Sequence, residues 1–318
     1  MEGRLVISLV LVVTASLSAS AQSKRQKVKT IAEIFTPPNG VYLRDSMFID
    51  ETEIANVHYL EYLHYVAKDS SESFYLSQLP DSTCWERGFT PADSVSEYVE
   101  HYFRYPGYRY FPVVGVSYEQ AMNYCTWRGK AILLAIKEDT LHKSFPDLTA
   151  YDLELTFRLP TEEEWELAAA AGLDKMTYPY GLVRPTTQRK FSFRVGKKDV
   201  CECLEHNHIP YQPSSVIHKM EFKLREKYYF NLTDKPIACP MNSAFDLGYI
   251  YDLLPNPLGL YNMIGNAAEM TATRGVAKGG SYRHTLGESN ISNKQLYEQS
   301  EAWLGFRCIA VVRLKKKS

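Results

Sequence analysis

The chain has 318 residues, with 36 basic and 37 acidic side chains, so its formal net charge is −1. That balance excludes a protein that binds nucleic acid through a basic surface, because such proteins carry a basic excess. Hydrophobic residues make up 45% of the chain, which is enough for a packed core and too much for a disordered protein. The counts that stand out are 23 Tyr and six Cys.

The first 21 residues have the pattern of a secretory signal peptide. Arg4 precedes an apolar run over 5–17, and Ala19-Ser20-Ala21 fits a cleavage site. The run is shorter than the ~20 residues of a bilayer crossing, which favours a cleaved signal over a signal anchor. We expect export to the periplasm or the extracellular space, where disulfides form. No lipid-anchoring Cys follows the cleavage site, and no later segment reaches transmembrane length.

The next segments predict a polar leader, a strand and a helix. The leader covers 22–40 and ends in Pro-Pro-Asn-Gly. Residues 41–49 are typical of a strand. Apolar residues then recur at helical spacing, which predicts a helix over 54–67.

Two capping boxes predict the starts of two later helices. Ser117 is followed three residues later by Gln120, and Thr161 by Glu164; in such pairs each side chain bonds the other residue's backbone N–H. The second box begins a helix over 162–171.

The stretches outside these helices have weaker patterns. We interpret 130–157 as an insertion and 182–240 as irregular, apart from one strand near 220–224. The C-terminal third is rich in glycine and turns, with short apolar runs such as 309–312, and 314–318 form a basic tail. This combination of helices, short strands and irregular segments predicts an α+β protein, without the regular alternation of strands and helices that a parallel sheet requires.

Several segments, in order along the chain, resemble the formylglycine-generating enzyme family, also called the sulfatase-modifying factor domain. They are Ile49 to Asn56, Pro112 to Ser117, Tyr124 to Trp127, Arg158 to Glu166, Tyr178 to Gly181, Gly259 to Asn266, Lys278 to Tyr282 and Leu304 to Cys308. The resemblance implies one domain over 41–313, with a variant of the C-type lectin-like fold that is low in regular secondary structure.

A narrower likeness involves the Tyr-Phe-Arg-Tyr-Pro-Gly-Tyr segment at 102–108 and the insertion before Arg158. Both resemble the Bacteroidetes branch of the family, which includes gliding-motility and type IX secretion lipoproteins. Those lipoproteins carry a lipid-anchoring Cys after the signal, and this chain does not.

The family resemblance also locates a candidate pocket. Family enzymes oxidise a substrate cysteine to formylglycine with oxygen, and two cysteines after the Gly-Gly-Ser-Tyr motif bind copper. The corresponding positions here are His284 and Ser289. Cu(I) prefers soft thiolates, so this departure argues against copper and against oxidation by the family mechanism.

Ser281 and His284 each allow two interpretations. Ser281 matches an active-site serine of the family, and the alternative is a structural serine in a tight turn. His284 has the chemistry to bind a metal or to titrate near neutral pH, and the alternative is an ordinary surface or core histidine.

The resemblance further implies a structural calcium ion. The family turn that resembles 262–269 wraps Ca²⁺, and by position the ligands are the Asn262 side chain, the Gly265 and Ala267 carbonyls, and the Glu269 carboxylate. Hard oxygen donors of this kind are those that calcium prefers. The alternative is a turn that needs no ion.

Cys125 and Cys308 match positions that are disulfide-bonded in family members. The pairing of the other four, Cys84, Cys201, Cys203 and Cys239, stays open. Cys201 and Cys203, with His206 and His208, also have the composition of a zinc or copper cluster. The spacing is not that of a standard zinc motif, and export favours disulfides.

Three hypotheses about function follow. The first is a non-catalytic, exported component of the cell envelope, related to secretion or motility, that binds a protein or peptide through an aromatic or polar groove. The second is a metal-dependent oxidase or other enzyme that uses the same pocket, Ser281, His284 and Ser289. The third, a lectin-like ligand binder, rests on fold analogy alone.

Overall fold

The structure is a computed structural model that describes residues 29–87, 95–138, 144–182, 186–187, 227–228, 232, 247–251 and 253–317. The predicted signal peptide, the strand predicted near 220–224, and Cys201, Cys203, His206, His208 and Cys239 lie outside these residues. The described α-helices are α1 (Ile31–Ile34), α2 (Asn56–Asp69), α3 (Glu72–Ser77), α4 (Val95–His101), α5 (Tyr118–Lys137) and α6 (Glu162–Ala170). The described strands are β1 (Gly40–Arg44), β2 (Met47–Asp50), β3 (Tyr151–Arg158), β4 (Thr186–Thr187), β5 (Lys227–Tyr228), β6 (Ala268–Met270), β7 (Val276–Lys278), β8 (Gln295–Leu296), β9 (Leu304–Gly305) and β10 (Ile309–Lys316).

The mixture of helices and strands agrees with the predicted class, and its larger sheet has the order β1-β2-β10-β3. All of its pairings are antiparallel, and β10 pairs with β3 over eight residues, from Ile309 opposite Arg158 to Lys316 opposite Tyr151. β10 is therefore a central strand, and it continues three residues into the stretch predicted as a basic tail.

Two expectations for this sheet were wrong. The single strand predicted over 41–49 is a hairpin, because Asp45 takes a left-handed conformation with φ +49° and reverses the chain between β1 and β2. The stretch 130–157, interpreted as an insertion, contains the end of α5 and nearly all of β3. Its strand partner lies about 150 residues away in sequence, so no local signal marked it.

Both predicted capping boxes are confirmed. Ser117 Oγ accepts from the Gln120 backbone N–H at 3.2 Å, and Gln120 Oε1 accepts from the Ser117 N–H at 2.7 Å. Thr161 and Glu164 make the same exchange at the start of α6. The helix predicted over 54–67 is also present, as α2.

A smaller sheet of short strands, in the order β8-β7-β6-β9, carries the candidate pocket. β6 pairs antiparallel with β7 and parallel with β9. The Gly-Gly-Ser-Tyr motif lies between β7 and β8, and the turn predicted to bind calcium leads into β6.

Cys125 on α5 and Cys308, just before β10, meet in the core. Both are fully buried, and their sulfur atoms lie 3.1 Å apart as thiols. Burial and the neighbouring Cys125 raise the pKa of the Cys308 thiol. The structure brings the predicted partners together, and the disulfide bond itself stays a prediction.

The centre of the molecule contains a buried ion pair between Arg307 and Glu269. Arg307 is 0% exposed, and its guanidinium binds the carboxylate with two N–H groups, at 2.5 and 2.6 Å. Its other donors bind the backbone carbonyls of Asp50, Glu51 and Tyr261. Such a bidentate pair is geometrically specific, so one side chain fixes β2, the loop after it, the 261 turn and β6.

We predict that Arg307→Met lowers the free energy of unfolding by about 3–5 kcal/mol, because it leaves the buried Glu269 carboxylate without a counter-charge. The control is Arg313→Met on β10, the strand that follows Arg307. Arg313 and Glu154 are 3.8 Å apart, with side chains 75% and 72% exposed, and an exposed pair contributes less than about 1 kcal/mol. Urea unfolding followed by tryptophan fluorescence measures both. Equal costs would contradict the prediction, and Arg307→Met with Glu269→Gln should recover part of the loss.

Candidate functional site

The candidate pocket begins with two glycines that follow β7. Gly279 and Gly280 have φ values of +90° and +67°, a region that side chains disfavour. A Cβ on Gly279 would lie 2.7 Å from the Met263 carbonyl oxygen, and one on Gly280 would lie 2.0 Å from Ser289 Oγ. The turn therefore packs directly against both neighbours, which leaves no space between Gly280 and Ser289.

Ser281 and His284 form a hydrogen-bonded pair within this turn. Ser281 Oγ lies 2.8 Å from His284 Nδ1, and the Ser281 backbone N–H donates to the same nitrogen at 3.1 Å. A backbone N–H only donates, so Nδ1 must be an acceptor and the neutral ring carries its proton on Nε2. The Ser281 hydroxyl therefore donates to His284, and its oxygen accepts from the Arg283 N–H.

Ser289 is not part of that pair. Its hydroxyl donates to the Thr285 carbonyl oxygen at 2.8 Å, and the side chain is fully buried. The bond closes a turn over 285–289. Of the three predicted pocket residues, the structure therefore brings two together and uses the third as a local structural serine.

Burial limits what the Ser281–His284 pair does chemically. Ser281 is 0% exposed, so its hydroxyl does not contact a molecule at the surface. His284 is half-buried, with its ring 5.1 Å from that of Trp303, edge to face. Burial lowers the pKa of His284, which keeps the ring neutral and able to accept from Ser281. The arrangement favours the interpretation of Ser281 as a structural serine in a tight turn.

The turn predicted to bind calcium lies against the same glycines. The Gly265 N–H donates to the Gly279 carbonyl, and the Tyr282 N–H to the Asn266 carbonyl. Asn262 and Asn266 have φ values of +51° and +64°, which asparagine tolerates better than most residues.

The fit of calcium to this turn differs from one predicted ligand to the next. Both Glu269 oxygens are taken by Arg307, and Oε2 also accepts from Trp165 Nε1 at 2.7 Å. Glu269 therefore does not fit as a calcium ligand, because a cation there would displace or repel the guanidinium. Asn262 Oδ1 does fit, because it is a buried oxygen with no hydrogen-bond partner in the structure.

Another buried acid, Glu53, lies beside this turn and was not singled out from the sequence. It is 0% exposed, and its two oxygens accept from the side-chain amides of Asn262 and Asn266 at 3.0 and 2.9 Å. Burial, opposed by Arg307 and reinforced by Glu269, raises the pKa of Glu53 to about 8. Burial therefore makes this carboxyl group easier to protonate than an ordinary glutamate.

The sequence also left Arg307 and Trp165 without a role. Both belong to segments that carry the family resemblance, and a charged residue inside the apolar segment 304–312 was the available signal. Their partner Glu269 was identified, but as a metal ligand. Glu269 and its counter-charge Arg307 are 38 residues apart, so no local pattern in the sequence pairs them.

Within the described part of the chain, no three His, Cys, Asp or Glu side chains form a group able to hold a metal ion. The predicted calcium ligands are mostly amide and carbonyl oxygens. None of the helices described here combines the length and apolarity needed to cross a membrane.

Comparison with protein families identifies the class. A model described as "Sulfatase-modifying factor enzyme 1-like domain" matches residues 8–312. The chain belongs to this family, as the ordered motifs predicted.

Among curated proteins, the chain is 34% identical over 97 residues to the bovine (Bos taurus) "Inactive C-alpha-formylglycine-generating enzyme 2", which covers 30% of this chain and 20% of that protein. It is 32% identical to the "Formylglycine-generating enzyme" of Thermomonospora curvata over 97 residues, which are 30% of this chain and 20% of that protein. The chain thus matches about a fifth of the length of either relative.

Among solved structures, the chain is similar to Treponema denticola variable protein 1. The TM-score is 0.41 and the identity 15%, over 87% of this chain and 92% of that one. The structure of CarF gives a TM-score of 0.40 at 17% identity, over 86% and 93%.

We predict that the neutral, buried His284 makes the fold less stable in acid. Its pKa is lowered in the folded state, so below about pH 6.5 the unfolded chain binds a proton that the folded chain resists. Stability therefore falls as the pH drops below that value, by at most about 1.4 kcal/mol per pH unit for one group. Unfolding by urea between pH 7.5 and 5.5 measures the slope.

The test variant is His284→Gln, which keeps an acceptor for the Ser281 N–H and does not titrate. The control is His64→Gln, at an exposed position on α2. His58, whose pKa burial also lowers, is present in both. We expect a shallower slope in His284→Gln only; a wild-type slope in that variant would contradict the prediction.

Proposed function

We propose that this protein is an exported, non-catalytic member of its family that binds a protein or peptide partner in the cell envelope. The observation that supports it most directly is the state of the pocket hydroxyls. Ser281 and Ser289 are both fully buried and both engaged in turn hydrogen bonds. The positions of the family's copper-binding cysteines carry His284 and Ser289, so neither supplies a thiolate.

The relatives are consistent with this proposal. A bovine relative is named as inactive, while the bacterial relative is named as an enzyme, so the family name alone decides nothing. The likeness of 102–108 to secretion and motility lipoproteins supports an envelope assembly as the setting. The C-type lectin-like variant remains our proposal for the fold in finer detail.

An exposed tyrosine surface supports binding of a polypeptide. Tyr110 and Tyr105 are 55% and 58% exposed, and Tyr249 and Tyr251 are 38% and 48% exposed. The Ile250 N–H donates to the Tyr110 carbonyl, and the Tyr249 ring packs on Phe111 at 4.5 Å. Tyrosine offers large contact area at low entropic cost, which is why binding surfaces are enriched in it.

The alternative is an enzyme that uses His284 with a metal in the same pocket. It requires the half-buried ring to exchange its bond with Ser281 for a metal or a substrate, and it requires access to a turn whose serine is 0% exposed. The geometry supports the non-catalytic proposal over this one.

Catalysis is tested directly with the mature protein from Gln22. We expect no oxygen uptake and no aldehyde by mass spectrometry when it is incubated with a cysteine-containing peptide and either copper or iron. The enzyme of Thermomonospora curvata serves as the positive control. Aldehyde that forms with this protein and is lost in His284→Ala would contradict the proposal.

Partner binding is tested in the same material by placing a photo-crosslinking amino acid at Tyr110. The matched control is Tyr42, on the hairpin strand β1, which is 46% exposed. We expect one discrete envelope protein to be crosslinked from Tyr110 only. Crosslinking that is absent, or equal from both positions, would count against the tyrosine surface as the binding face.

We also propose a calcium ion held by Asn262 Oδ1 and by the Gly265 and Ala267 carbonyls, without the Glu269 side chain. The unpartnered buried oxygen of Asn262 supports it. Calcium at 100 times its Kd should stabilise the fold by about 2.7 kcal/mol, which raises the melting temperature relative to protein in chelator. Magnesium is the control ion, and a melting temperature unchanged by calcium or chelator would remove the site.

A further inference from the structure

A second candidate site lies between α2 and α5, and none of its residues belongs to the Gly-Gly-Ser-Tyr turn. It is a cavity of about 270 Å³, lined on α2 by His58, Glu61 and Tyr65 and on α5 by Trp127, Arg128 and Ala131. The α2 residues follow one another at helical spacing on one face. Ala131 and Ala135 supply only methyl groups at their positions on α5, which leaves the space open.

The charges at the floor of this cavity are already compensated. Arg128 donates to Asp50 Oδ2 at 2.7 Å and to the Pro38 carbonyl at 2.9 Å, and its guanidinium lies over the Phe157 ring. Asp50 accepts from the Cys308 backbone N–H as well. Arg128 and Asp50 therefore form an ion pair with no net charge at the floor of the cavity.

His58 adds no positive charge. Its Nδ1 accepts from the Ala55 backbone N–H at 3.2 Å, so the neutral ring has its proton on Nε2. Burial and the nearby Arg128 lower the pKa of His58. Glu53 also lines the cavity, and its two oxygens are already bonded by the side-chain amides of Asn262 and Asn266.

The uncompensated charge of the cavity is that of Glu61. Its side chain is exposed, and it has no ion-pair partner among the described residues. It stands one turn before Tyr65 on α2. Glu61 therefore gives the cavity a negative charge that no described cation pairs with.

Two aromatic rings complete the site. The Tyr65 and Trp127 rings lie 5.6 Å apart at 46°, and Tyr65 is 41% exposed. Trp127 is held in place by Tyr62 at 5.3 Å and Tyr124 at 5.6 Å. Aromatic faces carry partial negative charge and attract cations, tryptophan most strongly.

We propose that this cavity binds an alkylammonium group, with the Glu61 carboxylate as its counter-ion and the Tyr65 and Trp127 rings packed on its methylene groups. Its volume is below the ~300–1,000 Å³ of sites for drug-sized ligands, which fits one side chain or a small amine. The ligand is either a free amine or a lysine side chain of a polypeptide.

Binding to the mature protein is measured by calorimetry with three probes. They are n-butylammonium, the peptide Gly-Gly-Lys-Gly-Gly blocked at both ends, and the same peptide with norleucine in place of lysine. We expect binding of an ammonium probe and none of the norleucine peptide. Tighter binding of the lysine peptide identifies a polypeptide ligand, and binding of butylammonium that is equal or tighter identifies a free amine. Equal binding of the norleucine peptide, or no binding of either ammonium probe, would overturn the proposal.

Variants distinguish binding in this cavity from nonspecific binding elsewhere on the surface. Glu61→Gln and Tyr65→Leu should each weaken binding about threefold or more, and Ala131→Leu should abolish it by filling the cavity. The matched controls are Glu72→Gln on α3 and Ala67→Leu on the exposed face of α2, which should bind as wild type does. A Glu61→Gln variant that binds with unchanged affinity would overturn the assigned counter-ion, and with it the proposal.

Discussion

The buried ion pair of Arg307 and Glu269 is the interaction on which the centre of this structure depends. Neither group is solvated, so each requires the other's charge, and Arg307 satisfies its remaining N–H groups on three backbone carbonyls. Those carbonyls belong to segments far apart in sequence. A lysine would keep the charge but not the fork of donors, so the position demands arginine.

The same pair decides the properties of the neighbouring turns. Because Arg307 holds Glu269, the carboxylate is not available to a metal, and Trp165 is fixed by its own bond to Oε2. Trp165 then packs against the Gly279 position, where a Cβ would lie 3.0 Å from its ring. The turn that contains Ser281 therefore packs against a tryptophan that is itself held in place, and Ser281 is buried in that turn.

Features that are local in sequence were predictable, and those that need distant partners were not. The boxes at Ser117 and Thr161 involve residues three apart, so the sequence alone located both helix starts. β3 forms only because β10 pairs with it, and the Arg307–Glu269 pair joins the segment before β10 to strand β6. The motif order predicted the family, yet the burial of Ser281 and Ser289 depends on contacts that a motif does not describe.

The α2–α5 cavity also depends on residues that are distant in sequence, so the sequence alone did not predict it. Periodicity predicted a helix over 54–67, but it assigned no role to His58, Glu61 and Tyr65. They become one wall of a cavity only because α5 presents Ala131 and Ala135 opposite them. Arg128, which would otherwise make that cavity cationic, is neutralised by Asp50 on β2. Asp50 also accepts from the Cys308 N–H, next to Arg307. The charge balance of the cavity is therefore set by the strand that the central ion pair holds in place, so disruption of Arg307 should alter the cavity although no atom of Arg307 lines it.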